Sequence, residues 1–276
     1  MNTFKKKYEK YFLTIIAILI TIILLLPVYF MITYAFEKLE DMFHIPPYLI
    51  PPIPTLEPLM ETLIGLSGHM VSSIIYATGV LLLTLVISPP AAYALAHFDM
   101  RINKYFTLVL IFSQMLPVVM LAIPLFLIFN KVGLINTYFG MILADATYTI
   151  PFCTLILSAF MRSVPFELVE AAYLDGATPF AAFIKVVLPI SKSGLATIAI
   201  FAFLFPWADF IFGLTISVQN KMQPMSVGLY KYMELYGLRW NNLMAGGFIF
   251  AIPALIVVIL AGRFIIGGLT AGALKQ

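Results

Sequence analysis

The chain has 276 residues, 62% hydrophobic and 11% charged, with a formal net charge of +3. Soluble globular domains carry roughly a quarter of their residues as charges. So small a polar complement cannot cover a fold of this size, and the solvent for most of its surface is therefore lipid. The weak, scattered positive charge argues against a nucleic-acid partner, and the single cysteine, Cys153, excludes an intrachain disulfide.

The N-terminus opens on Lys5, Lys6, Lys7 and Lys10 and runs into a charge-free stretch, 11–36. The apolar region of a signal peptide spans about 7–15 residues, so this longer stretch reads as a retained helix behind a cytoplasmic extension, 1–10. A crossing needs about 20 apolar residues. Six stretches qualify: 11–35, 70–95, 106–129, 137–160, 194–217 and 243–265. Prolines inside them, Pro117, Pro124, Pro151, Pro206 and Pro253 among others, predict kinked helices whose freed carbonyls find partners on neighbouring helices.

With the N-terminus in the cytoplasm, eleven of the sixteen basic residues fall in cytoplasmic segments and five outside. The rule that Lys and Arg favour the inside thus places both termini in the cytoplasm of a multi-pass plasma-membrane protein. The first outer loop, 37–69, carries Pro46, Pro47, Pro51, Pro52, Pro54 and Pro58. It is expected to be an extended, turn-rich cap.

The segment between the fourth and fifth stretches is the most informative. Ser163 is placed to cap a helix with Pro165 and Glu167 in its first turn. Leu168, Ala171, Ala172 and Leu174 give that helix a small apolar surface, and Gly176 is placed to end it. A second apolar stretch, 180–187, is expected to end at Leu188-Pro189. Neither is long enough to cross a bilayer. A helical pair with a small-residue face at the membrane boundary suits docking into a partner's groove.

Glu170-Ala171-Ala172, then Gly176, then Leu188-Pro189, resembles the EAA loop of ABC importer permeases. AYALAHF at 92–98, QMLP at 114–117, GLINTYFGMIL at 133–143 and WADF at 207–210 resemble the carbohydrate-uptake branch, of maltose/trehalose type. The ending GLTAGALK, 268–275, is similar to a tail that reaches into the ATPase dimer in maltose-type permeases. Ser73, Ile266-Gly267 and Gln276 depart from common family residues, which touches details of docking only.

The resemblance implies an all-α membrane protein of the type I ABC importer fold, one permease domain over 11–276 with a coupling loop at 162–192 and a cytoplasmic tail at 266–276. It implies ATPase contact by Glu167, Glu170, Ala171, Ala172, Asp175, Gly176, Leu188 and Pro189. It implies further contact by the tail residues Gly268, Leu269, Thr270, Ala271 and Gly272. The partners implied are a second permease subunit, two copies of the ATPase and an extracytoplasmic binding protein that delivers a sugar. ATP and Mg²⁺ belong to the ATPase, because no GxxxxGK[ST] phosphate loop occurs in this chain.

Asp145 and Asp209 are the acids at membrane depth, and with Trp207 they are the candidates for lining a translocation path. His44, His69 and His97 are isolated and read as interfacial or solvated residues, and Cys153 as a packing residue. No catalytic constellation or metal motif is present in the sequence, so no catalysis is expected of this chain itself. Import of glycerol 3-phosphate or another polar solute by the same machinery stays open, as does an ion-coupled carrier, although such a carrier has no use for an ATPase-docking helix.

Overall fold

The computed structural model describes residues 2–98, 101–218, 222–236 and 239–273, and describes side chains at 10–98, 101–218, 222–231, 233 and 239–262. Among the described residues the chain is helical and has no strand. Four helices are long and apolar enough to cross a bilayer, and two bent pairs bring the number of candidate crossings to six. The residues group into two compact units, 1–65 with 232–251, and 66–231 with 252–276.

In the first unit, helix α1 (Asn2–Ala35) has no buried residue from Lys10 to Tyr34. An apolar helix with no protein cover is stable where lipid or a partner provides the surroundings. Its threonine hydroxyls find acceptors within the helix: Thr14 donates to the Lys10 carbonyl and Thr21 to that of Ala17, both at 2.8 Å. The outer loop follows with one 3₁₀ turn, Asp41–Phe43, and is otherwise a run of turns, bends and short irregular segments. The loop ends earlier than the sequence suggested, because helix α2 (Glu57–His97) begins at Glu57.

In the second unit, helix α5 (Tyr138–Arg162) is the axis on which the others pack; it buries eleven residues, Asp145 and Cys153 among them. Helix α9 (Lys192–Ala208) lies against it at close range. A Cβ added at Gly194 would stand 2.7 Å from the Phe160 ring, so only glycine permits that approach. One apolar cluster joins Ala92 and Tyr93 of α2, Leu157 and Met161 of α5 and Ile198 of α9 to the loop after α5. A second holds Tyr76, Met141, Ala144, Phe212 and Ile216.

Several local expectations change. The third stretch is two helices, α3 (Arg101–Met115) and α4 (Val118–Lys131), bent by 102°. Pro117 holds an extended conformation there, φ −58° and ψ 133°, which no continuous helix accommodates. The fifth stretch stops at Ala208 rather than 217: Asp209 is extended, and a short helix α10 (Ile211–Ile216) starts anew. Ser163 ends α5 instead of starting the next helix; its hydroxyl donates to the Phe160 carbonyl at 2.7 Å.

Leu188-Pro189 does not terminate the stretch before it. Helices α7 (Pro179–Ala182) and α8 (Leu188–Ile190) run on through a π-helical turn, Phe183–Val187, and the chain bends by 80° only at Ser191. Pro189 has no N–H for the carbonyl four residues back, and the widened turn is how a helix carries such a proline forward. Helix α11 (Met225–Tyr236) had no counterpart in the sequence reading. The last helix, α12, runs Trp240–Ala273.

Candidate functional site

Two places in the second unit hold the residues singled out by sequence. The first is the loop after α5. Helix α6 (Phe166–Leu174) starts after Pro165 and ends on a full Schellman arrangement: Ala177 N–H donates to the Ala172 carbonyl at 2.9 Å, and Gly176 N–H to that of Tyr173 at 3.0 Å. Gly176 has φ +83°, and no heavy atom lies within 4 Å of where its Cβ would be. The demand for glycine is therefore conformational and not one of space within this chain. Thr178 then caps α7, accepting from Ala181 N–H at 3.2 Å with Pro179 in the first turn.

One side of this helical pair is anchored. Val169, Ala182 and Val187 are fully buried, and Phe183 packs on Tyr93 with ring centroids 5.0 Å apart. The Tyr93 hydroxyl lies 3.2 Å from that of Tyr173 and 3.4 Å from the Pro179 carbonyl. The other side is open. Glu167, Glu170, Ala171, Asp175 and Gly176 are all exposed, Ala172 and Leu188 are half-buried against the core, and Pro189 is exposed. Leu174 is 89% and Phe180 72% exposed. Most of the expected contact residues are thus exposed, with Leu174 of the expected apolar surface and with Phe180, to which sequence reasoning had given no contact role.

The second place is a niche at the end of α9. Asp145 and Asp209 line one cavity of about 250 Å³, together with Tyr148, Phe205 and Phe212. Asp209 caps α10: its carboxylate accepts from Phe212 N–H at 3.3 Å and Gly213 N–H at 2.8 Å. The fully buried hydroxyl of Tyr76 is close to both carboxyl groups and donates to the Pro206 carbonyl. Trp207 is elsewhere. It is 2% exposed and stacks on Phe203 at 5.5 Å, and it does not line the niche. Tyr76, Tyr148 and Phe205 were missed; the one hint was that Tyr148 falls three residues after Asp145, on the same helical face.

In the first unit, outside the crossing segment, Glu37 is 1% exposed and neither carboxylate oxygen has a hydrogen-bond partner. Burial, with Asp41 nearby, raises its pKa above the ordinary carboxylate value. Glu61 accepts from Asn242 at 2.9 Å and pairs with Arg239 at 3.3 Å, both near the surface. Among the described residues no three His, Cys, Asp or Glu side chains converge as metal ligands. The side chains of Gly268, Leu269, Thr270, Ala271 and Gly272 lie outside the described residues.

A model of the binding-protein-dependent transport system inner membrane component matches residues 88–271, which holds both the open face and the niche. The chain belongs to that family. The permease is similar to a trehalose/maltose transport system permease protein of Thermococcus litoralis, 30% identical over 272 residues and 97% of each chain. It is 36% identical over 175 residues to a probable ABC transporter permease protein of Pyrococcus horikoshii, a match covering 63% of this permease and 64% of that relative's length. Its fold matches that of a bacterial ABC transporter involved in the import of the acidic polysaccharide alginate, with a TM-score of 0.76, 21% identity and coverage of 93% and 97%. The permease is thus a membrane-embedded transport component, and the ion-coupled alternative falls away.

Proposed function

We propose that this permease imports a sugar of the maltose or trehalose type, delivered by an extracytoplasmic binding protein. A separate ATPase that seats on the α6–α7 face drives the transport. One observation carries the coupling: the α6–α7 pair is pinned to the bundle through Val169, Ala182, Phe183 and Val187 while it exposes Leu174 and Phe180 among Glu167, Glu170 and Asp175. A firmly held face that mixes exposed apolar and acidic side chains suits docking to a partner. The occupant fitting the family is an ATPase that itself holds ATP and Mg²⁺. The sugar rests on the likeness to the trehalose/maltose relative, aligned over nearly its whole length.

In this reading a second permease subunit completes the pathway, two ATPase copies serve the pair, and both termini are cytoplasmic. The tail from Gly268 to Gly272 lies at the ATPase, and Asp145 and Asp209 border the path with Trp207 backing the wall. The test is reconstitution of the complex in vesicles with the binding protein. Leu174→Asp is expected to abolish ATPase association and uptake of maltose or trehalose while the permease still inserts, and truncation after Ile266 to lower ATPase stimulation. Wild-type uptake by Leu174→Asp overturns the assignment of the docking face.

A further inference from the structure

Asp145 brings the niche an acceptor that no donor of this chain meets. It is 5% exposed, lines the cavity, and its Oδ2 has no hydrogen-bond partner. The Tyr76 hydroxyl gives its one proton to the Pro206 carbonyl. Asp209 draws its donors from its own helix start. A buried acceptor without a donor is costly, so it marks a place where a donor arrives from outside.

The rest of the wall limits what that donor belongs to. Tyr148 and Phe205 present aromatic rings, centroids 5.5 Å apart at 53°, and Phe212 adds a third. Aromatic faces suit the C–H faces of a pyranose, and the carboxylates suit its hydroxyls. The volume, about 250 Å³, is that of a single ring and not of an oligosaccharide. No Lys or Arg lines the cavity. An anion placed here finds acidic side chains and no cation to pair with, and an unpaired charge is costly to bury. A bare metal ion would lack a third acidic or imidazole ligand among the described residues. Asp145 stands seven residues into α5, about 10 Å from its Tyr138 end, so the niche lies within the membrane and not at its edge.

We propose that this subunit itself grips one sugar ring in the niche of Asp145, Tyr148 and Phe205, and that the niche admits uncharged polyhydroxy solutes while it turns away phosphorylated or uronic ones. This rests on the importer reading above and adds to it which subunit touches the solute and which charge the solute carries.

The experiment uses the whole complex in lipid nanodiscs and dicyclohexylcarbodiimide, an apolar reagent that modifies buried carboxyl groups, with the site read by peptide mass. Maltose or trehalose is expected to reduce labelling of Asp145 about ten-fold when present at about ten times its dissociation constant. Trehalose 6-phosphate, glycerol 3-phosphate and glucuronate are expected to leave it unchanged. Asp145→Asn is expected to raise the transport KM for the sugar while ATPase association stays as in wild type. Equal protection by the anions overturns the charge filter. No protection by maltose or trehalose, in a complex that transports one of them, overturns the niche as a sugar subsite yet leaves the importer reading standing, and so does a failure of Asp145 to label at all. A complex that takes up only an anionic solute, or no sugar, refutes the substrate reading underneath and this inference with it.

Discussion

Replacing Gly176 with alanine separates backbone conformation from space. Gly176 has φ +83°, and a Cβ built there meets no heavy atom of the chain within 4 Å. The left-handed conformation costs an ordinary L-residue about 1–2 kcal/mol relative to glycine. That energy falls on the Schellman ending of α6, which sets the direction in which Leu174 and Asp175 face. If the ATPase binds only the loop with this ending, the competent fraction falls and the apparent dissociation constant rises by the same factor, about 5- to 30-fold. Asparagine tolerates the left-handed region better than alanine, so Gly176→Asn is expected to lose less despite its greater size. The assay is titration of purified ATPase against the solubilised permease, with membrane insertion as the control. Wild-type affinity in Gly176→Ala refutes the conformational argument. An equal or larger loss in Gly176→Asn shows that the partner demands room, and refutes it as well.

Other consequences follow from the same packing. Tyr93→Phe removes the hydroxyl that meets Tyr173 and Pro179; a loss of about 0.5–1.5 kcal/mol is expected, seen as faster amide exchange in α6 and α7 with little change in α5. Gly194→Val forces a side chain against Phe160 and Leu157; overpacking by about 1–3 kcal/mol should lower the Tm of the solubilised protein, whereas Gly262→Val, with nothing within 4 Å, should not. Glu37 has a raised folded-state pKa, so the folded state binds its proton more readily than the unfolded one. The local structure around Glu37 is therefore expected to be firmest at acid pH and to weaken as pH rises through and above the ordinary value of 4.5. Amide exchange of the 36–56 loop across pH checks this, and Glu37→Gln should flatten the profile.

The sequence by itself determined the solvent, the candidate crossings and the glycine-ended short helix after the fourth of them. Those are local properties: an apolar run such as 11–35 needs lipid wherever it packs, and Gly176 ends a helix wherever that helix lies. Even so, the local reading failed at Ser163 and at Leu188-Pro189, where capping and helix termination each had two solutions. Ser163 closes α5 because the Phe160 carbonyl is within its reach, and Pro189 is carried inside a helix because a π-helical turn precedes it. Only the tertiary structure decided that Pro117 bends its stretch by 102°, while Pro151 sits inside a continuous α5. It alone brought Tyr76 of α2 to Asp145 of α5 and Asp209 at the end of α9. These residues are far apart along the chain, and nothing in the spacing of an apolar run says which of its faces will meet another helix. The niche exists because packing brings the ends of separate helices together, a choice made by no one segment.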